Sequence, residues 1–195
     1  MSKIACILLA AGASSRMKNQ VKQLLPWRGA TLLEHAIATA VASKVNDVFV
    51  ILGANFEKIY AQLTLEKYQI IENKDWEQGI GSSIAKAIME ITKLPESYDA
   101  VLIALADQPL IDTAYYDEMI SIFNKGDTDV ITTSYLNKKG VPAIFRKTYF
   151  KDLRLLHNDI GAKQIIANAS VETINCNGKE ADIDTWEDYQ RLLNK

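Results

Sequence analysis

The segment IACILLAAGASSRM, residues 4–17, decides the fold that we expect for this chain. Its first part, Ile4 to Leu9, is apolar throughout, as in a buried strand, and the small residues after it indicate a loop. The segment also fits a secretory signal, in which Lys3 is the charged end and Ala-Gly-Ala resembles a cleavage site. The pattern of the remaining sequence distinguishes between these two interpretations.

Strand-like and helix-like segments alternate along the chain from this first strand onward. Thr31 and Glu34 have the spacing of a capping box at the start of a helix, and DVFVIL at residues 47–52 predicts the next strand. Removal of a signal would take away the first strand of this alternation, so the pattern favours a strand that stays in the protein. Further helices are predicted near Phe56–Leu65, Ser83–Ile91, Asp112–Asn124, Tyr149–Leu156, Ala162–Ala169 and from Trp186, and further strands near Tyr68–Ile71, Ala100–Ala106, Asp129–Tyr135 and Val171–Ile174.

Continuous apolar strands that alternate with amphipathic helices are typical of a mainly parallel sheet with helices on both faces. No internal repeat, low-complexity tract or linker interrupts the 195 residues. We therefore predict an α/β fold with three layers, organised as a single domain over residues 1–195.

The composition argues against several classes of protein. Apolar residues make up 48% of the chain and the formal net charge is −2, with Lys and Arg scattered, so a nucleic-acid binder is not expected. Cys6 and Cys176 lie far apart without the spacing of zinc ligands, and we expect reduced cysteines in a cytoplasmic protein. No apolar run reaches the roughly 20 residues that a membrane-spanning helix needs.

The loop after the first strand has a composition that suits a polyphosphate. Residues Ala10 to Ala13 leave little side-chain bulk, and Gly12 can adopt backbone angles that other residues avoid. Arg16 and Lys22 add cations that match phosphate oxygens. Neither the G-x-x-x-x-G-K-[ST] nor the G-x-G-x-x-G phosphate motif is present. The alternative is an ordinary strand-to-helix turn with solvated Arg and Lys side chains.

Acidic residues follow at two further points of the chain. Asp107 comes directly after the apolar strand AVLIALA, at the sheet edge where ligands bind in parallel sheets. Mg²⁺ prefers one or two carboxylates together with phosphate oxygens, so Asp107 is a candidate ligand, with a turn role as the alternative. Asp182 and Asp184 share one side of an extended segment, and in combination with the other motifs this segment is a candidate source of a second metal carboxylate. Alternatively, Asp184 or Thr185 caps the last helix.

A second loop, Gly79 to Ser83, is rich in glycine and hydroxyl groups and precedes a helix. This composition indicates another ligand-binding loop at the same edge, although a plain capped loop would look the same. Trp76 is the tryptophan that we expect nearest to a ligand, whereas His35 is expected to be structural. His157 is either a loop residue or a contact of the second substrate.

Six motifs in this order resemble the MobA/MocA-like nucleotidyltransferase family, and in particular its molybdenum cofactor cytidylyltransferase branch. They span almost the whole chain. The motifs are LLAAGASSRM…KQLLP, GIGSSI, LADQP, GVPAIF at residues 140–145, NDIGAK at residues 158–163 and DIDTWEDY.

The resemblance implies a Rossmann-like enzyme that binds CTP with Mg²⁺ and transfers the nucleotidyl group to the terminal phosphate of molybdopterin, releasing pyrophosphate. The guanylyl branch resembles LAGG at positions 9–12, so the methyl group of Ala11 favours CTP over GTP. The implied residues are Leu9, Ala10, Ala11, Gly12, Ala13, Ser82 and Ser83 for the nucleotide, Arg16, Lys22 and Asp107 for catalysis, Asp107 and Asp184 for the metal, and Gly140, Pro142, Asp159 and Lys163 for the acceptor.

Other functions fit the same residues. Lys163 stands where the family usually has Arg, which removes bidentate phosphate geometry and leaves the acceptor open. The alternatives are a sugar phosphate or alcohol phosphate as acceptor, GTP as donor, or a non-catalytic molybdenum-cofactor carrier that docks on a molybdenum hydroxylase. The missing glycine fingerprint disfavours a nicotinamide-dependent oxidoreductase.

Overall fold

A seven-stranded mixed sheet forms the centre of this computed structural model, which describes residues 1–64, 67–126, 128–135 and 138–194. Seven strands follow the order β5–β4–β1–β6–β8–β7–β9 across the sheet, and β2 pairs with β3 outside it. The strand β8 is antiparallel to β6 and β7, whereas the other neighbouring pairs of the large sheet are parallel. The strands are β1 Ile4–Leu9, β2 Pro26–Trp27, β3 Ala30–Thr31, β4 Asp47–Leu52, β5 Gln69–Glu72, β6 Ala100–Leu105, β7 Val130–Tyr135, β8 Lys138–Arg146 and β9 Val171–Asn175.

Helices cover both faces of the sheet, and two of the longer ones begin at the predicted caps. The side chain of Thr31 accepts a hydrogen bond from the Glu34 N–H in a capping box, and the carboxylate of Asp112 accepts one from the Tyr115 N–H. The α-helices are α1 Leu32–Val41, α2 Phe56–Tyr60, α3 Ile80–Ile91, α4 Thr113–Lys125, α5 Phe150–Leu153, α6 Lys163–Asn168 and α7 Trp186–Leu193, and 3₁₀ helices span Lys22–Leu24, Trp76–Gln78 and Lys147–Tyr149.

The packing of β1 explains why the sheet is covered on two sides. Cys6 and Leu8 pack in one apolar core with residues of α1 and α4. Ile7 and Leu9 point the other way and pack in a second core with residues of α3. A strand that is apolar at every position buries both of its faces, as expected for the middle of a parallel sheet.

A third apolar cluster joins the loop after β1 to the end of the chain. Met17 and Ile183 are both fully buried in it, together with Trp27 and Tyr189. The cluster therefore brings the neighbours of Met17 close to the neighbours of Ile183, although 166 positions separate these two residues in the sequence.

The structure confirms the predicted α/β fold with its mainly parallel sheet and corrects several details. The helix α3 begins at Ile80 rather than at Ser83, and the predicted end of α2 at Leu65 lies outside the described residues. The sequence pattern does not indicate β8, because Gly140 and Pro142 usually interrupt strands. A register shift between β7 and β8 accommodates them there. In the described part of the chain, no helix is long and apolar enough to cross a membrane.

Candidate active site

The ends of β1 and β6 place the two predicted ligand segments side by side. Leu9 is in register with Leu105, and the Ala106 N–H donates a hydrogen bond of 3.0 Å to the Leu9 carbonyl. The first loop and Asp107 therefore leave the sheet at the same edge and next to each other. This is the crevice beyond the carboxyl ends of parallel strands in which ligands of such sheets bind.

A buried glutamine holds the first loop in place. The Gln23 side chain donates hydrogen bonds to the carbonyls of Ala10, at 2.7 Å, and Gly12, at 3.0 Å. The Ser14 hydroxyl donates to Gln23 Oε1 and accepts from the Lys22 N–H at 3.0 Å. Sequence reasoning missed Gln23, and no local pattern indicates that this glutamine is buried.

Gly12 has a different role from the one that its conformational freedom suggests. The left-handed residues of the loop are Ser14, Lys18 and Asn19, whereas Gly12 does not adopt a positive φ. A Cβ atom added to Gly12 would have no neighbour within 4 Å. The backbone N–H groups of Gly12 and Ala13 have no hydrogen-bond partner among the described residues. The fold therefore tolerates a side chain at Gly12, and the open space beside it is available to a ligand.

The predicted cations and carboxylates form one cluster. Lys22 Nζ lies 2.6 Å from Asp107 Oδ2 and 3.6 Å from Asp184 Oδ1, and Arg16 lies 3.7 Å from Asp184 Oδ2. The side chains of Lys22 and Asp107 are 16% and 21% exposed, so this pair is largely shielded from solvent. All four of these residues were predicted as site residues from the sequence, and the fold brings them together.

The neighbours of Asp184 determine where its carboxylate lies. Thr185 caps α7 in a capping box with Asp188, so the capping role that was the alternative for Asp184 belongs to Thr185. The N–H of buried Ile183 donates a hydrogen bond of 2.9 Å to the Asp107 carbonyl, which ties this segment to the end of β6. Asp184 is consequently available to the cations of the first loop.

Asp182 lies near Asp107 and Asp184 and has an unusual environment. Although the residue as a whole is exposed, its carboxyl group is partly desolvated and accepts a hydrogen bond of 2.8 Å from Gln108 Nε2. Desolvation, together with the charges of Asp107 and Asp184, raises the pKa of Asp182 to about 6. Gln108 itself is 6% exposed, and its Oε1 atom is buried without a hydrogen-bond partner among the described residues.

The second predicted loop closes the opposite wall. Trp76 and Ser83 line the cavity beside the first loop, as expected. Ser82 is absent from that lining, because its hydroxyl lies 2.8 Å from the Gly79 carbonyl and accepts a hydrogen bond from Asn73 Nδ2. Asn73 is 2% exposed and also donates to the Ser83 hydroxyl, so it shapes this loop and is a further residue that sequence reasoning missed.

Two cavities adjoin at this edge of the sheet. One has a volume of about 390 Å³ and the other of about 910 Å³. The smaller cavity is lined by the predicted nucleotide loop and the central ion pair, namely Leu9, Ala10, Ala11, Gly12, Ala13, Lys22 and Asp107. The larger cavity is lined by three of the predicted acceptor residues and two polar neighbours, namely Gly140, Asp159, Lys163, Gln108 and Asp182. Four residues line both cavities: Leu9, Ile80, Leu105 and Asp159. Pro142 is absent from both linings, since it is buried in β8 and its carbonyl accepts a hydrogen bond from Thr133.

Comparison with known proteins places this edge in a family context. A family model described as the MobA-like NTP transferase domain matches residues 6–174. The chain belongs to this family. Among curated relatives, nicotine blue oxidoreductase of Paenarthrobacter nicotinovorans is 31% identical over 96% of this chain and 95% of its own length. The purine catabolism protein PucB of Bacillus subtilis is 26% identical over 95% of this chain and 94% of its own length.

Solved structures of other proteins share the fold of this chain. Rv0371c of Mycobacterium tuberculosis superposes with a TM-score of 0.84 at 26% identity, with full coverage of both chains. A second structure of that protein, in complex with manganese, superposes with a TM-score of 0.82 at 25% identity. A nucleotidyl transferase of Methanothermobacter reaches a TM-score of 0.83 at 18% identity, over 98% of this chain and 96% of its own, which is a likeness of fold alone.

The acidic residues of this MobA-like NTP transferase fit a divalent cation that is also bound by its substrate. No group of three or more His, Cys, Asp or Glu side chains among the described residues could hold a metal unaided. Asp107 and Asp184 already face one cationic group, and Asp107 Oδ1 is buried without a partner in the described part of the chain. Two carboxylates are what Mg²⁺ takes from a protein when phosphate oxygens supply other ligands.

Proposed function

We propose that this protein transfers CMP from CTP to the terminal phosphate of molybdopterin, with Mg²⁺ as cofactor and pyrophosphate as the second product. The observation that supports the proposal is the pair of adjoining cavities, of which the smaller carries the Lys22–Asp107 pair. A transferase needs two substrate sites that meet at the reacting atoms. The product would serve a molybdenum hydroxylase on which this chain docks in the cytoplasm.

The smaller cavity suits the triphosphate. The N–H groups of Gly12 and Ala13, which lack a partner among the described residues, can donate to phosphate oxygens, and the guanidinium of Arg16 can bind two of these oxygens at once. Attack of a phosphate on the α-phosphorus brings anions together, so Lys22 would lower the barrier by neutralising charge without a covalent intermediate. A magnesium ion held by Asp107 and Asp184 would neutralise phosphate charge and orient the leaving pyrophosphate.

The larger cavity suits a flat heterocycle that carries a phosphate. Its walls include apolar side chains such as Ile84, Val141 and Ile166, which offer surface to a ring system. Lysines at its edge are suited to a phosphate, whereas Gln108 and Asp182 are suited to N–H donors of a heterocycle. The lysines that line this cavity are Lys138, Lys139 and Lys163.

The base preference rests on Ala11. Ala11 and Trp76 both line the smaller cavity, and a Cβ atom added to Gly53 would lie 3.0 Å from Ala11 Cβ and 2.5 Å from Trp76 Cβ, so the two side chains lie near each other on one wall. A pyrimidine needs less room there than a purine. We expect CTP to bind more tightly than GTP for this reason.

The first experiment measures thermal stabilisation of the purified protein by CTP, GTP, ATP and UTP, each with and without Mg²⁺. CTP at about one hundred times its Kd should stabilise the fold by about 2.7 kcal/mol. A Mg²⁺-dependent shift that is largest for CTP supports the proposal and leads to an assay of pyrophosphate release with molybdopterin. A preference for GTP would indicate guanylyl transfer, and stabilisation by no nucleotide would indicate the non-catalytic carrier.

Substitution of Asp107 tests the catalytic assignment directly. We expect Asp107→Ala to reduce turnover by about 10²-fold or more, the usual effect of losing a group that stabilises transition-state charge, with the melting temperature largely retained. Asp152→Ala, on the exposed surface of α5, is the matched control and should have wild-type activity. Near-normal activity of Asp107→Ala would contradict the metal and catalytic roles of this residue.

A second candidate function comes from the relative named nicotine blue oxidoreductase, which is 31% identical to this chain. A related activity here would reduce a conjugated heterocycle in the larger cavity with a nicotinamide cofactor as electron donor. The absence of a G-x-G-x-x-G loop disfavours this alternative. Fluorescence titration with NADH and NADPH distinguishes the oxidoreductase from the nucleotidyltransferase. A nucleotidyltransferase should bind CTP more tightly than either dinucleotide.

A further inference from the structure

The ammonium group of Lys22 lies where the two candidate metal ligands converge. It is 2.6 Å from Asp107 Oδ2 and 3.6 Å from Asp184 Oδ1. Carboxylates on two sides of one cation form the arrangement that a divalent ion would also need. The lysine therefore occupies the place between the two carboxylates that a metal ion would also take.

Only the side chain of Lys22 can leave this place easily, because its backbone is fixed. The Lys22 N–H is bonded to the Ser14 hydroxyl at 3.0 Å, and the next residue, Gln23, is buried and bonded to the carbonyls of Ala10 and Gly12. These contacts attach Lys22 to the loop on which the phosphates would rest. The long, flexible side chain of a lysine can reach a second partner from such a fixed point.

A bound triphosphate would change the balance of charge around this lysine. Without it, Asp107 and Asp184 are the anions within 4 Å of the Lys22 ammonium among the described residues. With it, the phosphates supply several negative charges beside the same loop, and the ammonium has an alternative partner. The carboxylates are then free for a metal ion that phosphate oxygens also bind.

We infer that Lys22 determines the order of binding, in that it keeps free divalent cations off Asp107 and Asp184 until the nucleotide arrives. The inference rests on the proposed nucleotide site and adds to it a residue that couples the two ligands. By thermodynamic linkage, the factor by which bound nucleotide raises the affinity for the metal equals the factor by which bound metal raises the affinity for the nucleotide. The metal then enters the site with the nucleotide rather than before it.

The test measures Mn²⁺ binding to the nucleotide-free protein from the electron paramagnetic resonance signal of unbound Mn²⁺. Lys22→Met removes the competing charge while keeping much of the side-chain length. We expect this variant to bind Mn²⁺ about tenfold or more tightly than the wild type, because a positive charge has left contact distance. Lys22→Arg keeps the charge and should bind Mn²⁺ as weakly as the wild type.

A matched control and a second substitution locate the effect. Lys18→Met removes a cation from the same loop, one whose partner is Glu187 at 2.7 Å, and should leave Mn²⁺ affinity unchanged. When Asp107→Asn is combined with Lys22→Met, the double variant should lose the increase in Mn²⁺ affinity that Lys22→Met alone produces. If Lys22→Met lowers the melting temperature without ligand, Lys22→Gln replaces it.

Two results would overturn the inference. One is equal Mn²⁺ affinity in the wild type and in a folded variant that lacks the Lys22 charge. The other is a gain in affinity that persists after Asp107→Asn, since the gained site would then lie elsewhere. These measurements contain no nucleotide, so they are independent of the stabilisation by CTP and Mg²⁺ on which the proposed function depends.

Discussion

Replacement of Gly12 by alanine separates the requirements of the fold from those of the ligand. The added Cβ atom has no neighbour within 4 Å, and the residue does not adopt a positive φ. Substitution of glycine by alanine in a compatible conformation stabilises a protein by about 0.4–1 kcal/mol, because it restricts the unfolded chain. We therefore expect the free energy of unfolding of Gly12→Ala to equal or slightly exceed that of the wild type.

The same methyl group should weaken nucleotide binding. If phosphates rest against the loop, the methyl group intrudes on them, and overpacking by one methyl group costs about 1–3 kcal/mol. Since 1.4 kcal/mol corresponds to tenfold in affinity, we expect the Kd for CTP with Mg²⁺ to rise between about fivefold and a hundredfold or more. Thermal unfolding without ligand, followed by a titration with CTP and Mg²⁺, measures both quantities on the same samples.

The control for this experiment is a glycine that tolerates a methyl group away from the cavity. Gly126 ends α4 with φ of −100°, and the nearest atom to an added Cβ, the Ile122 carbonyl oxygen, lies at 3.4 Å. Like Gly12→Ala, Gly126→Ala should have a free energy of unfolding equal to or slightly above that of the wild type, but it should leave CTP affinity unchanged. Wild-type CTP affinity in Gly12→Ala would refute the placement of the phosphates at this loop. A large loss of stability would refute the description of the space around Gly12.

Two further substitutions test the walls of the site. Gly53→Ala should lower the free energy of unfolding in urea by about 1–3 kcal/mol and should also weaken CTP binding. The added Cβ atom would lie 2.5 Å from Trp76 Cβ and would displace the Trp76 ring toward the smaller cavity. An unchanged urea midpoint would contradict this close packing of Gly53 against Trp76. Asp182→Asn should raise the melting temperature at pH 8 in metal-free buffer and lose this advantage at pH 4. The reason is that folding raises the pKa of Asp182 from its ordinary value of 3.8 to about 6, so the charged carboxylate destabilises the folded protein. This penalty grows as the pH rises from 3.8 to about 6 and is constant above that range. An equal gain in melting temperature at both pH values would show that ionisation of Asp182 is not the cause.

Much of the fold could be predicted because its signals are local. The apolar runs at Ile4–Leu9 and Asp47–Leu52 became strands with the predicted bounds, and Thr31 and Asp112 cap the predicted helices. The strand β8 could not be predicted, since Gly140 and Pro142 lie within it and its stability depends on antiparallel partners on both sides. That the chain forms a single domain stays a prediction.

The candidate site could be predicted in residue type but not in arrangement. Arg16, Lys22 and Asp107 were indicated by charge that follows apolar strands, and Asp184 by an extended acidic segment and the family resemblance, and the four residues do lie together. Gln23 could not be found, because the sequence does not show that a glutamine is buried or which carbonyls it binds.

The sequence by itself determined most of the helices and strands of this protein and the chemical character of the loops between them, because strand, helix and cap preferences depend on residues a few positions apart. Only the tertiary structure decided that Lys22 lies between Asp107 and Asp184. That contact depends on the parallel register of β1 and β6 and on the burial of Met17 and Ile183 in one apolar cluster, both of which join residues far apart in the chain. Forming them requires burial of apolar surface across the whole sheet, a property of the assembled core that no short segment contains.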